Sequence, residues 1–338
     1  MQTEISTIGK EAAISKLFEG TGYANCRTIR LNEKGECCMA HKIMLEGMDF
    51  DLTYTPLKHL GYKAVLYVIG EIYAAMRQPS ALSVNLGVSS RFSYENITEL
   101  WAGVLAATRE HKIGQLALDL NPSINGLCIS MSAMGVQKKK TIDAMPVAKD
   151  MDIICLTGRV GAAYLGLHIL EREKVSFNAN GKQPDLSKYK NVLASYLNPE
   201  IKPNVVERFA DAKVLPANGH FITCGLGDAV LRLAQESGFG VKIYLEKIPI
   251  SSQTFEAAEE LGIDPVTAAM NGGDDYQFIF TLPLAQHEII RKDFQDYDII
   301  GHLAQPEVGA VIVTPEGAEI PIRAQGYTAI EESDKSKE

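Results

Sequence analysis

The six cysteines include no CxxC pair, and Cys128, Cys155 and Cys224 sit within apolar, strand-like runs where a thiol behaves as a small hydrophobe. A zinc ribbon and a disulfide framework are therefore not expected. Cys224 has no evident base nearby in sequence and reads as a buried structural thiol rather than a nucleophile. No apolar run reaches the ~18 residues of a membrane span, and no secretory signal opens the chain, so the expected location is the cytoplasm. Positive charge is in the minority: 33 Lys and Arg stand against 42 Asp and Glu, for a formal charge of -9. The short run Lys138 to Lys140 reads as a solvated turn, and nucleic acid is not an expected partner. Internal repeats and the Walker and dinucleotide fingerprints are also missing.

What is present is a chain of 338 residues, 46% hydrophobic, long enough for two domains. The stretch "TPLKHLGYKAVLYVIGEIYAAMRQPS" predicts a helix with Thr55 as N-cap, Pro56 in its first turn, a break near Gly61 and Pro79 as a stop. A strand through "ALSVNLGV" and a helix through "NITELWAGVLAATREHK" follow. "IGQLALDLN" and "GLCISMSAMGV", joined by the turn-rich "NPSING", read as adjacent strands. A second block opens with "DIICLTG" and the helix "RVGAAYLGLHILERE", which places the boundary between Ala144 and Asp152. The polar "NANGKQPDLSKYKN" reads as a loop, and helices and strands alternate to the end.

Few residues attract chemical interest on their own. The glycine turns "TGRVG" and "NGGDDY" could bring backbone N–H groups to an anion, or could be tight turns and no more. Asp119 lies on the strand face opposite Leu116, Leu118 and Leu120, near a strand end. In "YVIGEIYAAM", Glu71 joins a helical row of small or apolar side chains. Burying an unpaired carboxylate costs several kcal/mol, so Glu71 is either a partnered ligand in a site or a charge at a helix rim.

"NGGDDYQFIFTLP" resembles the glycine-glycine-glutamate-aspartate-tyrosine signature of thiamine-monophosphate kinases. "LEGMDFDL", "LGYKAVLYVIGEIYAAMRQP", "AKDMDIICLTGRVGAAYLGLHILERE", "IGHL" and "AQGY" extend the resemblance, in order, over roughly Ile5 to Tyr327. It implies an α/β and α+β chain with the two-domain fold of aminoimidazole ribonucleotide synthetase. An N-terminal α+β domain (1–147) would contribute strands to a β-barrel shared by a homodimer, followed by a C-terminal α/β domain (148–328) and a disordered tail (329–338). It also implies an ATP- and Mg²⁺-dependent transfer of phosphate to thiamine phosphate, giving thiamine diphosphate, in a cleft rich in metal-binding aspartates.

Several of those aspartates are replaced. The family's glycine-aspartate-aspartate loop reads "GTGYANC", with Tyr23 and Ala24 in place of acids, and its threonine-aspartate becomes His41 and Lys42. Its helical serine-aspartate becomes Gly70 and Glu71, and its aspartate-isoleucine-serine-aspartate-glycine-leucine motif becomes "FITCGL", with Phe221 and Cys224 for acids and Asp228 one turn on. An arginine becomes Met145. The resemblance carries Asp119 and Glu71 over as metal ligands, Trp101, Leu118, Asp119, Thr223 and Lys42 as the nucleotide side, and Asp49, Asp274 and Tyr327 as the substrate side. The substitutions set a second expectation beside the kinase: a non-catalytic paralogue, or pseudoenzyme, that binds a nucleotide, a thiamine-like ligand or a protein partner. In that case Glu71 would pair with Lys42 rather than with Mg²⁺.

Overall fold

The computed structural model describes residues 19–20, 28–30 and 36–324. The loop at Tyr23 and Ala24, the helix expected over "EAAISKLF", the substrate-side Tyr327 and the tail lie outside the described residues.

The first module is a sheet of five described strands in the order β1-β2-β5-β3-β4. These are β1 (Thr28–Arg30), β2 (Cys37–Leu45), β3 (Gln78–Val88), β4 (Gln115–Pro122) and β5 (Cys128–Val136). Strands β4 and β5 do not pair with one another as "NPSING" suggested. The long β3 lies between them, parallel to β4 and antiparallel to β5. Two helices cover one face. Helix α1 (Leu57–Ala74) runs unbroken through Gly61, with Pro56 itself as the N-cap. Pro79 does not stop it; it lies in β3 at a register shift. Helix α2 (Tyr94–Glu110) starts at Ser93 in a capping box with Asn96. The two helices cross through Gly61 and Gly103, where a methyl group on either would overlap the backbone of the other helix.

The second module is a sheet of seven described strands in the order β12-β11-β8-β10-β6-β9-β7. They are β6 (Ile153–Thr157), β7 (Asn218–Ile222), β8 (Gly240–Tyr244), β9 (Gln277–Leu282), β10 (Tyr297–Ala304), β11 (Ala310–Val313) and β12 (Glu319–Pro321). After the short α3 (Lys139–Asp143), its helices are α4 (Ala162–Asn180), α5 (Lys190–Leu197), α6 (Val205–Asp211), α7 (Leu226–Ser237), α8 (Ser252–Leu261), α9 (Pro265–Asn271) and α10 (His287–Asp293). Helix α4 runs into the polar stretch expected to be loop, and ends at Gly181 in the left-handed conformation.

Side-chain alternation divides the second sheet between two cores. Ile154, Leu156, Ile222 and Ile279 pack with α7 and α9. Ile153, Cys155, Phe221, Phe278 and Phe280 point the other way and share one apolar cluster with α1. Helix α1 is therefore the common wall of both modules, which explains why it is buried on most of its circumference.

Candidate functional site

Lys63, Tyr67 and Glu71 follow one another at four-residue spacing on α1 and form a single stripe. The stripe faces the junction of the two modules, and each of its charges has a partner there. Glu71 is 4% exposed, and its Oε1 lies 2.9 Å from Lys42 Nζ on β2. The Lys42 ammonium also sits 4.8 Å from the centroid of the Tyr67 ring, so it is paired with a carboxylate on one side and lies against an aromatic ring on another. The buried carboxylate of "YVIGEIYAAM" is thus paired with lysine.

Eight residues earlier, Lys63 is 2% exposed. Its Nζ reaches across to Asp274 Oδ2 at 2.8 Å and lies 3.8 Å from the centroid of the Tyr196 ring. Asp274 belongs to "NGGDDY", where Gly273, Asp274 and Tyr276 all have positive φ, 97°, 58° and 54°. Bonds from Asp274 N to Thr223 O and Tyr276 N to Ile222 O, both 3.1 Å, hold this loop to the end of β7. The left-handed conformation is costly for residues other than glycine, so the loop is held open towards α1 by contacts on both sides.

The two glycine turns meet. Asp275, 7% exposed, accepts a bond from Gly161 N at 2.8 Å in the turn that opens α4. The protein's own carboxylate therefore occupies the N-terminus of that helix. Burial pushes the Asp275 carboxyl well above the usual carboxylate range. The same cause raises the Tyr276 phenol.

Between α1, the residues after β2 and helix α4 lies a cavity of about 440 Å³ lined by Asp49, Phe50, Asp51, Tyr54, Tyr67, Leu167, Glu171, Lys174, Tyr196 and Asp274, among others. It brings Asp49 and Asp274 together. Asp49 is partly engaged in shaping the turn, its Oδ2 accepting from Leu45 N at 2.7 Å. At the rim Lys174 Nζ binds Asp51 Oδ2 at 2.6 Å, and the Tyr54 hydroxyl donates to Glu171. Burial and this carboxylate raise the Tyr54 phenol above its ordinary pKa.

The remaining expected site residues are more dispersed. Lys42, Met131, Val84 and Leu118 form one cross-strand row on the helix-covered face. Lys42 and Leu118 are three strand spacings apart, about 14 Å. Asp119 shares the open face of the sheet with Asn85 and Ser130, and its carboxylate accepts from Leu120 N at 3.0 Å and Asn121 Nδ2 at 2.8 Å. Asp119 and Glu71 therefore cannot share one Mg²⁺, whose ligands lie about 2.1 Å from the ion. Trp101 is half-buried on α2 against the first core. Thr223 is buried and its Oγ1 lies 3.9 Å from Cys224 Sγ. Cys224 is exposed, contrary to the expectation of a buried thiol, because it lies at the entry to α7, beyond the end of β7. Asp228 is held by Arg232 Nε at 3.0 Å. Among the described residues no group of three or more His, Cys, Asp and Glu side chains converges as a metal site.

Gly70 and Phe221 meet in space. The ring of Phe221 packs against Gly70, and a methyl group at position 70 would overlap it. Phe221 also stacks edge-on to Tyr276 at 5.3 Å and lies 5.1 Å from Phe278. Gly70 and Phe221, at the positions where the resemblance implied a serine and an aspartate, are therefore one apolar contact. Lys63, the second charge in the α1 stripe, was missed in the sequence. Its spacing from Glu71 was the available signal.

No family model matches the chain. A thiamine-monophosphate kinase of Rhodopirellula baltica is 24% identical over 249 residues, covering 74% of this chain and 69% of that protein. A putative hydrogenase expression/formation protein of Methanocaldococcus jannaschii is 25% identical over 286 residues, 82% of this chain and 79% of that one. Among solved structures, thiamine monophosphate kinase from Aquifex aeolicus superposes with a TM-score of 0.79 at 20% identity, covering 94% of this chain and all of that one. The same enzyme complexed with AMPPCP and TMP gives 0.77 at 20% identity, over 95% of this chain and 97% of that one. Hydrogenase maturation protein HypE in complex with ATP gives 0.62 at 16% identity, over 90% and 88%. On these likenesses the chain has the α/β and α+β fold of the aminoimidazole ribonucleotide synthetase type, shared with the thiamine monophosphate kinase and HypE structures, and its sequence is similar to thiamine-monophosphate kinases.

Proposed function

We propose that this protein binds nucleotide phosphate through the Lys42 ammonium, without a magnesium ion beside Glu71, and does not phosphorylate thiamine phosphate in the magnesium-dependent manner. The observation that carries the reading is the 2.9 Å pair of Lys42 and the buried Glu71. Mg²⁺ prefers near-octahedral oxygen ligands, and an ammonium within 3 Å of the carboxylate already supplies the compensating charge and repels a second cation. The residues present therefore do not fit a metal at this position. Lysine is a compact point charge suited to phosphate. The Gly70–Phe221 contact supports the same reading, because it is apolar where the resemblance has a serine and an acid.

On this reading the cavity beside Asp49 and Asp274 takes the second ligand, a thiamine-like molecule or analogue. The open face of the first sheet, with Ile43, Leu45, Met134 and Val136 exposed, is the surface on which a second copy would pair to form a homodimer.

The test is an assay of the purified full chain with ATP, Mg²⁺ and thiamine phosphate, following thiamine diphosphate by mass spectrometry. No product above a protein-free blank is the expected result. Stoichiometric, Mg²⁺-dependent product would overturn the proposal in favour of a kinase with Asp119 and Glu71 as metal ligands, the reading that the names of the relatives favour.

A further inference from the structure

The contacts that join the two modules around the cavity differ from one side to the other, with the buried Lys63–Asp274 pair between them. Behind the cavity, the C-terminal half of α1 meets β7 through Gly70 against Phe221 and through Gly219 against the Ala74 carbonyl, where added methyl groups would overlap. These contacts are dry and have no long side chain that could rearrange. At the rim, Asp51 and Tyr54 of the first module meet Glu171 and Lys174 of α4. Lys174 Nζ is 2.6 Å from Asp51 Oδ2 and 3.4 Å from Glu171 Oε2, and the Tyr54 hydroxyl bonds Glu171. The Asp51, Glu171 and Lys174 side chains are a quarter or more exposed, so water and salt compete for them.

We infer that the cavity is gated, with the α1–β7 contact and the buried Lys63–Asp274 pair as fulcrum and the Asp51, Tyr54, Glu171 and Lys174 cluster as a latch whose parting widens the entrance for a ligand. Rigid packing and the buried Lys63–Asp274 pair on one side, and a solvated ion-pair network on the other, make the Asp51–Lys174 side the one that opens at least cost. The functional meaning rests on the reading that the cavity holds a ligand. The gate itself can be tested with no ligand at all.

Met44 lines the cavity and is 3% exposed. In full-length Met44→Cys protein, the rate of iodoacetamide labelling at position 44, read peptide by peptide, reports opening. Exposed Cys224 serves as the control for reagent and buried Cys155 as the control for global unfolding. Adding Lys174→Met is expected to raise the rate at position 44 by about tenfold with Cys224 and Cys155 unchanged, and 1 M NaCl to raise it by about threefold only while Lys174 is present. The exchanged pair Asp51→Lys with Lys174→Asp is expected to restore the slow rate. An unchanged rate in the Lys174→Met protein, or an equal rise at Cys155, would overturn the gate. Should Met44→Cys fail to fold, amide hydrogen exchange over residues 51–55 in the otherwise native chain gives the same readout. Faster exchange there in Lys174→Met supports the latch, and identical exchange removes it.

Discussion

Helix α1 buries two charges eight residues apart and compensates them in opposite ways. Lys63 is paired across the module junction with Asp274, a left-handed residue in the signature loop, beside a cavity. Glu71 is paired within its own module with Lys42, next to a dry contact between Gly70 and Phe221. The first pair joins two modules and leaves a carboxylate facing a ligand-sized space. The second satisfies a carboxylate internally, so that nothing from solution is required. The difference shows that one helix can hold a charge beside a ligand-sized space at one end and a charge satisfied within its own module at the other.

The comparison can be broken most severely at Lys63. Asp274→Ala would leave a nearly inaccessible ammonium with aromatic rings as its main compensation, and we expect a loss of about 4 kcal/mol in denaturant unfolding. A loss below 1 kcal/mol would mean that the rings, or water, suffice.

A third buried group on the same helix provides a neutral reference. The Tyr73 hydroxyl pairs with His111 Nδ1 at 3.0 Å, and burial lowers the His111 pKa from 6.5 to about 4. The unfolded chain therefore takes up the proton first. Stability from this group is complete above pH 6.5 and falls as the pH drops towards 4, by up to about 3 kcal/mol. His111→Gln should flatten the unfolding free energy against pH across that window. An unchanged slope would assign the acid sensitivity elsewhere.

At the other charged end, Lys42→Met removes the cation 2.9 Å from a buried carboxylate. A cost of about 2–3 kcal/mol in denaturant unfolding is expected. The smallest effect belongs to the dry contact. Gly70→Ser overpacks the Phe221 ring and should cost about 2 kcal/mol. Combining it with Phe221→Ala, which vacates the space, should cost less than the sum of the two single changes. Additive costs would show that the two positions are not one contact.

Much of this was legible in the sequence, for reasons tied to particular residues. Helix α1 was visible because its apolar row is long and Pro56 marks its start. The Lys42–Glu71 pair was anticipated because a buried acid needs a compensating charge, and the resemblance put a lysine where another acid had been. What was not legible depended on long-range contact. Nothing local tells that β3 separates β4 from β5, that Gly61 passes through a helix crossing instead of breaking a helix, or that Phe221 and Gly70 touch. The cavity residues Tyr54, Glu171, Lys174 and Tyr196 come from three separate segments, and only the packing of α4 on α5 and of α5 on α1 brings them together.

The most direct test of the built-in cation is a calorimetric titration of the full chain with a non-hydrolysable ATP analogue, once with Mg²⁺ and once with a chelator. The account predicts affinities that agree within about threefold, and in both conditions a loss of about tenfold in Lys42→Met, the order expected when one charge-assisted contact is lost. Tight binding that vanishes with the chelator would contradict it.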